Sequence, residues 1–170
     1  MPGRARHGGF TLIEVLVVVF IIGVILGMAT LSFSGRALDD KAQEEAQRLL
    51  QIFRLASEEA TLTGLEIGWI STEEGYRFLA LSDQGWTAYG DGSPLRSRKL
   101  ADPLQLSVQV DDLPIPTDPE RLTPQVLFLS SGEITPFTVE LGAPQLDIGF
   151  RIEGNLLGEL ALARHEAKLP

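Results

Sequence analysis

Residues 10–33 read FTLIEVLVVVFIIGVILGMATLSF, an apolar stretch in which Glu14 is the one charged residue. A helix of this length, at about 1.5 Å per residue, can cross the roughly 30 Å hydrocarbon core of a membrane. Arg4 and Arg6 precede the stretch and several acidic residues follow it, so the positive-inside rule places the N-terminus in the cytoplasm. The stretch therefore predicts a single transmembrane helix, with most of the chain on the far side of the membrane.

A secretory signal peptide also has a basic start and an apolar region. Its cleavage site, however, follows the apolar region and carries small residues spaced as in A-x-A. Here the pair Gly8-Gly9 precedes the apolar region, and Gly27-Met28-Ala29 is a poor match to such a site. The order of the parts argues against conventional signal cleavage.

Composition limits the classes of function that remain. The 170 residues are 44% apolar, enough for one folded domain plus an appendage. There is no cysteine, which excludes disulfides, Cys-ligated metals and thiol nucleophiles. Loss of residues 1–9 would leave 12 basic against 23 acidic residues, a net charge of −11. Because nucleic-acid affinity comes largely from Lys and Arg, this balance argues against a nucleic-acid partner.

Beyond the apolar stretch, apolar residues recur every three or four positions, which is typical of an amphipathic helix. They are Leu38, Ala42, Ala46, Leu49, Phe53, Ala56 and Ala60. No proline intervenes, so we predict one nearly continuous helix from Phe10 to about Leu62, closed by Gly64. Residues 10–33 would form its inner half, in lipid or against other helices. Residues 34–64 would form an outer half lying against a globular domain.

Residues 65–170 change to short β-like runs separated by Gly, Pro, Asp and Ser. The runs are LEIGWI (65–70), YRFLALS (76–82), WTAY (86–89), LQLSVQV (104–110), VLFLS (126–130), FTVELG (137–142), LDIGFRI (146–152) and LLGELALA (156–163). Residues 111–124 hold four prolines and are predicted to form an irregular loop or crossover. The predicted fold class is α+β, a long N-terminal helix packed on a C-terminal antiparallel β-sheet domain.

The sequence GG-FTLIEV, where the basic segment meets the apolar stretch, resembles the class III signal of type IV pilins and pseudopilins. The resemblance implies that prepilin peptidase removes the leader, residues 1–9, by cutting between Gly9 and Phe10. It also implies N-methylation of Phe10 and a role for Glu14 in subunit docking. Glycine suits a backbone that must enter a protease cleft, and a cut before the apolar helix keeps the membrane anchor. The implied fold is the pilin-like form of the α+β class.

Glu14 has two interpretations. As a carboxylate near a helix N-terminus it gains about 0.3–1 kcal/mol from the helix dipole. Buried in a bundle of helices it would instead require a positive partner, and the new amine of Phe10 on a neighbouring subunit could supply one. The position of Glu14 relative to the cleavage site favours the second interpretation.

Gly23 and Gly27 form a G-x-x-x-G spacing, and Ala29 adds another small residue. Small residues let membrane helices approach closely, but glycine is also common in such helices without that role. The sequence leaves both alternatives open.

A second resemblance lies in FLSSGEITP, residues 128–136. Phe128, Gly132 and Pro136 match the F-x-x-x-G-x-x-x-P pattern of the H-type minor pseudopilins of type II secretion, and the later GNLLGELALA also fits that family. An ordinary β-hairpin, with Phe128 inward, is the plain alternative. The two resemblances cover the first third and the last quarter of the chain.

The resemblance implies a structural subunit near the tip of the periplasmic pseudopilus, anchored in the inner membrane with its C-terminal domain in the periplasm. Its expected partners are the I-, J- and K-type minor pseudopilins, the major pseudopilin and prepilin peptidase. A minor pilin of a type IV pilus is the nearest alternative, and absence of a C-terminal cysteine pair weighs against it. Neighbouring secretin or pilus-retraction genes would separate the two.

The sequence gives little support for an enzyme or a ligand-binding protein. Outside the leader the one histidine is His165, expected to be exposed near the C-terminus. Five aspartates, Asp83, Asp91, Asp111, Asp112 and Asp118, lack the D-x-[DN]-x-[DN]-G order of a calcium loop and fit turns better. Trp69 and Trp86 are expected in the core or on a sheet face. No cofactor, metal or small-molecule ligand is expected, and a signal-anchored periplasmic enzyme or binding domain is a more distant alternative.

Overall fold

The computed structural model describes residues 11–116 and 123–166, and within the helix it leaves out the side chains of residues 28–36. It forms two compact units, Met1–Ala37 and Leu38–Pro170. A single helix, α1 (Leu12–Thr63), begins in the first unit and ends in the second. All strands described lie in the second unit. They are β1 (Ile67–Thr72), β2 (Gly75–Ser82), β3 (Gly85–Ala88), β4 (Arg98–Lys99), β5 (Gln105–Val110), β6 (Leu113–Pro114), β7 (Val126–Phe128), β8 (Phe137–Gly142), β9 (Ile148–Gly154) and β10 (Leu160–Glu166).

Local hydrogen bonds define both ends of α1. The backbone N–H of Glu14 donates to the hydroxyl of Thr11 at 3.3 Å, so Thr11 acts as the N-cap. At the other end, the N–H of Gly64 donates to the carbonyl of Ala60 at 3.0 Å, and Gly64 has φ +70°. This left-handed conformation suits glycine. The predicted closure of the helix at Gly64 is confirmed.

The strands form two antiparallel sheets. The first has the order β3-β2-β1-β7, with β4 also paired to β2. The second has the order β10-β9-β8-β5-β6. The fold is therefore α+β and antiparallel, as predicted from the sequence.

Each of the eight predicted runs overlaps a strand, although the boundaries shift by a few residues. Two short strands, β4 and β6, were not predicted. β6 corrects the prediction that residues 111–124 are irregular throughout, because Pro114 pairs with Gln109 at the outer edge of the second sheet. A proline is tolerated there since an edge strand can leave one side without hydrogen bonds. Residues 117–122 of that segment lie outside the described residues.

The apolar face of α1 in the second unit packs into the core. Ala42, Ala46, Leu49, Phe53, Ala56 and Ala60 are fully buried. Ala42 and Ala46 pack with Leu141 and Phe150 of the second sheet. Phe53 contacts aromatic rings from both sheets, with centroid distances of 5.3 Å to Trp69, 5.6 Å to Phe128 and 5.1 Å to Phe137. One helix face thus packs against both sheets and contributes to two hydrophobic clusters.

Candidate assembly site

The N-terminal part of α1 presents a carboxylate in apolar surroundings. Glu14 occupies the first turn. Its backbone N–H donates to two oxygens of Thr11, the carbonyl at 3.1 Å and the hydroxyl at 3.3 Å. The side chain is exposed, and no cationic group among residues 11–116 and 123–166 lies within ion-pair distance of it. Among the described residues, the Glu14 carboxylate is thus exposed and without an ion-pair partner.

Apolar side chains around Glu14 are exposed on every side of the helix. They are Leu12, Ile13, Val15, Leu16, Val17, Val18, Val19, Phe20, Ile21, Ile22, Val24, Ile25 and Leu26, each between 43% and 83% exposed. A Cβ atom added at Gly23 or Gly27 would meet no heavy atom within 4 Å. Within the described ranges, no helical segment combines the length and the apolarity that crossing a membrane requires.

Gly9 and Phe10, between which cleavage was predicted, lie outside the described residues, as does the remainder of the predicted leader. The structure therefore places Glu14 at the start of the described chain but gives no geometry for the amine it was predicted to meet.

The F-x-x-x-G-x-x-x-P segment forms a tight turn at the edge of the first sheet. Phe128 is fully buried, pairs with Ile67 of β1, and bridges to Ile134 after the turn. Gly132 donates its N–H to the carbonyl of Leu129 at 2.9 Å and has φ +91°. Pro136 directly precedes β8 of the second sheet. The motif therefore makes a hairpin-like turn, as the plain interpretation predicted, and it also carries the chain from one sheet to the other.

The sequence did not predict the partner of this turn. Gly158, in the turn between β9 and β10, has φ +81°, and a Cβ there would lie 2.5 Å from the carbonyl oxygen of Gly132. Two glycine turns therefore pack backbone to backbone. The glycines of GNLLGELALA are visible in the sequence, but local spacing carries no signal that Gly158 and Gly132 meet.

A second contact missed by the sequence ties α1 to the first sheet. The Tyr76 hydroxyl donates to Oε1 of Glu45 at 3.1 Å, and the other carboxylate oxygen pairs with Arg48. Burial, followed by the neighbouring Glu45 charge, raises the pKa of Tyr76. Burial and Glu59 likewise raise the pKa of Tyr89. The hydrogen bond between Tyr76 and Glu45 thus ties the helix to the first sheet.

The sequence predicted that His165 is exposed, but the structure shows it half-buried. Its side chain is 19% exposed, its ring lies beside Gly149, and its Nε2 is 3.9 Å from Oε1 of Glu140. Glu140 accepts hydrogen bonds from Arg151 at 2.7 and 3.1 Å. Gly149 has no side chain and therefore leaves room for the His165 ring on the sheet. The two residues meet because β9 pairs with β10, and their positions in the sequence do not reveal that pairing.

The remaining predicted positions have structural roles. Trp69 is fully buried, and Trp86 is half-buried beside Gly68. Asp111 and Asp112 form the turn between β5 and β6, with φ of 49° and 63°. In the described part of the chain, no group of three or more His, Asp or Glu side chains is arranged to hold a metal ion.

Comparisons with known proteins agree with this arrangement. Residues 45–158 match the family model described as "Type II transport protein GspH", and residues 4–30 match the "Prokaryotic N-terminal methylation motif". Type II secretion system protein H of Pseudomonas aeruginosa is 31% identical over 78% of this chain and 81% of its own. The protein of the same name from Aeromonas hydrophila is 28% identical over 96% of this chain and 97% of its own.

Solved structures show the same fold. The minor pseudopilin EpsH from the type 2 secretion system of Vibrio cholerae aligns with a TM-score of 0.61 and 29% identity, covering 72% of this chain and 96% of its own. The solution structure of Escherichia coli GspH aligns with a TM-score of 0.59 at 21% identity, covering 76% and 90% respectively. The second likeness concerns the fold alone.

Proposed function

Since the chain belongs to the GspH family and is a minor pseudopilin of the type II secretion system, we propose that it sits near the tip of the periplasmic pseudopilus. There it links the I-, J- and K-type minor pseudopilins to the shaft built from the major one. The family is structural, and we infer that this chain catalyses no reaction. The observation that carries the proposal is the pairing of a methylation-type N-terminus with the H-type segment 128–136, whose Phe128 is buried in the core.

A minor pilin of a type IV pilus is the second candidate, because it would share the leader and the helix. The H-family match over residues 45–158 favours secretion. Deleting the gene in its source bacterium should abolish release of folded exoproteins, and the wild-type chain should restore it. Intact exoprotein release together with lost pilus retraction would instead establish the pilus function.

Processing is part of the same proposal. Residues 1–9 would be removed by prepilin peptidase, Phe10 would become the methylated N-terminus, and residues 10–33 would anchor the chain in the inner membrane. The methylation motif matched over residues 4–30 supports this. N-terminal sequencing and intact mass of the membrane form should give a start at Phe10. A start near Thr30 would mean conventional signal cleavage and would contradict the proposal.

Glu14 would act in assembly. Its carboxylate is exposed among apolar side chains, with no cation within ion-pair distance in the described residues. An apolar bundle would desolvate that charge, which is costly unless a cation meets it. The Phe10 amine of a neighbouring subunit, freed by cleavage, would be such a cation if the two helices are offset along their axes by about one helical turn. Glu14 would thus favour insertion beside a processed neighbour.

Glu14→Ala should therefore leave cleavage and membrane insertion intact but reduce cross-linking to other pseudopilins by about tenfold or more, since a buried pair losing one partner costs a few kcal/mol. Glu14→Asp should be affected less. The matched control is Glu44→Ala, which removes an exposed carboxylate from the same helix in the second unit. If Glu14→Ala cross-links and secretes like wild type, the carboxylate serves the helix dipole alone.

A further inference from the structure

The second unit exposes its large apolar side chains unevenly. Among its described residues, seven large apolar side chains are exposed, and six of them are leucines. These six, called the leucine surface below, are Leu62, Leu65, Leu81, Leu113, Leu156 and Leu157. The seventh, Ile148, is 41% exposed.

The leucine surface lies at one end of the unit, the end at which α1 finishes. Leu62 and Leu65 flank the helix terminus at Thr63. Leu81 donates its backbone N–H to Glu66 at 2.9 Å, which brings it beside that terminus. Leu62, Leu65 and Leu81 therefore lie at the end of the first sheet where β1 begins.

The second sheet brings the other three leucines to the same end. Along β9, Phe150 packs near Ala42 and Ala46, while Ile152 belongs to the cluster around Phe53, so β9 advances in the same sense as α1. The turn after β9, with Leu156 and Leu157, therefore lies toward the helix terminus. There Gly158 meets Gly132 of the turn that follows β7.

The position of Leu113 at this end follows from the strand register. Val110 pairs both with Leu113 and with Phe137, the first residue of β8, and Phe137 pairs with Gly154 at the end of β9. The β5–β6 turn is thus beside the β9–β10 turn. Ile148, by contrast, begins β9 and pairs with Glu166, at the other end.

The most exposed turn of this surface is held in one conformation. The Asn155 side-chain oxygen accepts hydrogen bonds from the N–H groups of Leu157 and Glu159, both at 3.0 Å, and its Nδ2 donates to Glu159 at 2.7 Å. Leu157, 82% exposed, is therefore presented to solvent on a rigid support. Leucine is not a residue that turns favour, and a preorganised apolar tip loses little entropy on binding.

Charge around the leucine surface is of one sign. The segments that form this end are residues 58–66, 81–85, 111–113, 129–136 and 153–159. Together they contain nine Asp or Glu and no Lys or Arg. An apolar surface inside an acidic ring repels anionic lipid headgroups and attracts a protein surface with basic side chains at its rim.

We propose that the leucine surface is the docking site for the globular domain of a different pseudopilin, one that offers apolar side chains ringed by Lys and Arg. This inference rests on the proposed function, since it names the partner class for one end of the subunit. The Leu156-Leu157 tip would be the anchor, because apolar side chains at the centre of an interface contribute most of its affinity. The acidic ring would orient the partner and speed its association.

The test uses the full-length chain in its source bacterium, with the chromosomal copy deleted. A photo-crosslinking amino acid, p-benzoylphenylalanine, replaces Leu157 in one strain and Ile148 in another. Position 157 should yield an adduct with another pseudopilin, identified by mass spectrometry, and position 148 should yield about tenfold less. Equal yields, or adducts at 157 with lipid or exoprotein alone, would overturn the proposal.

Substitutions give an independent measure. The double variant Leu156→Ser, Leu157→Ser should weaken co-purification of that pseudopilin about tenfold or more, whereas Ile148→Ser should not. Asp111→Asn with Asp112→Asn should weaken it less and reduce its salt dependence, and asparagine tolerates the left-handed backbone there. Undiminished co-purification by the leucine variant would overturn the proposal. The proposed function is tested separately, by measuring exoprotein secretion with the wild-type chain in the same strain. The cross-linking result does not depend on that secretion measurement.

Discussion

The two parts of α1 have the same backbone and opposite surroundings. Between Leu12 and Leu26 apolar side chains are exposed all around the helix, whereas between Ala42 and Ala60 one face is buried against two sheets. A helix that is apolar on all sides needs an apolar environment supplied from outside, while an amphipathic one finds it within its own domain. We therefore expect the first part to serve contacts with other molecules, as proposed above, while the second part stabilises the domain.

Two glutamates of α1 illustrate the same difference. Glu45 accepts a hydrogen bond from Tyr76 and pairs with Arg48, so its charge is compensated within the domain. Glu14 has no such cation in the described residues. If Glu14 enters an apolar bundle, as proposed above, another subunit would supply the compensating cation, and the charge would then be sensitive to assembly.

The largest expected effect concerns stability, and it compares two phenylalanines of α1, one in each part. Phe53 is fully buried and Phe20 is 69% exposed. Phe53→Ala should lower the free energy of unfolding of the second unit by about 3–5 kcal/mol, because it leaves a cavity among Trp69, Phe128 and Phe137. Urea unfolding of the detergent-solubilised chain, followed by tryptophan fluorescence, measures it.

Phe20→Ala is the matched control and should leave that unfolding transition unchanged while weakening association in the membrane. A comparable loss of stability from both substitutions would show that the first part of the helix also packs on the folded domain, and the contrast between the two parts would fail.

Periodicity predicted this contrast because the two parts differ in local pattern. The heptad-like spacing from Leu38 to Ala60 identified the buried face, and alternation identified the strands. It could not predict that Gly158 meets Gly132, that Tyr76 bonds Glu45 31 positions away, or that His165 lies against Gly149. These contacts depend on how two sheets are placed on one helix, which no local spacing encodes.

The leucine surface was missed for a related reason. Its six leucines are spread from residue 62 to residue 157, and in its own segment each is an ordinary residue of a predicted helix, strand or loop. The strand order brings them to one end. The sequence was thus sufficient to predict the secondary-structure elements and the N-terminal motif. The surfaces that those elements form could not be predicted without the strand order.

Glycines offer a smaller test of the same comparison. Gly158→Ala should lower the free energy of unfolding by about 1–3 kcal/mol, because the backbone is left-handed and the new Cβ would lie 2.5 Å from the Gly132 carbonyl oxygen. Gly23→Ala in the first part of α1, where a Cβ meets no heavy atom within 4 Å, should not destabilise the domain. Thermal unfolding measures both.

Gly85→Ala separates backbone strain from packing. Gly85 has φ +96°, but a Cβ there meets no heavy atom within 4 Å. Its substitution should therefore cost less than that of Gly158. Equal costs would mean that the contact between the two glycine turns adds nothing to the stability of the domain.

The smallest effect concerns the polar tie between α1 and the first sheet. Tyr76→Phe removes the hydrogen bond to Glu45 and should lower the free energy of unfolding near neutral pH by about 0.5–1.5 kcal/mol. Burial and the Glu45 charge raise the pKa of Tyr76 above its ordinary value of 10.0, so the folded state favours the neutral phenol. The stabilisation is present below pH 10.0 and is lost as pH rises toward the folded-state pKa.

Urea unfolding between about pH 8 and about pH 11 should therefore show wild type losing stability with a steeper slope than Tyr76→Phe, so that the two curves converge. Tyr89, whose pKa is also raised by burial and by Glu59, should leave a residual slope in the variant. Parallel curves over this range would mean that the Tyr76 phenol ionises equally readily in the folded and unfolded chain. The Tyr76–Glu45 hydrogen bond would then add nothing to the attachment of the second part of α1, which would rest on its buried apolar face and on the ion pair between Asp39 and Arg164.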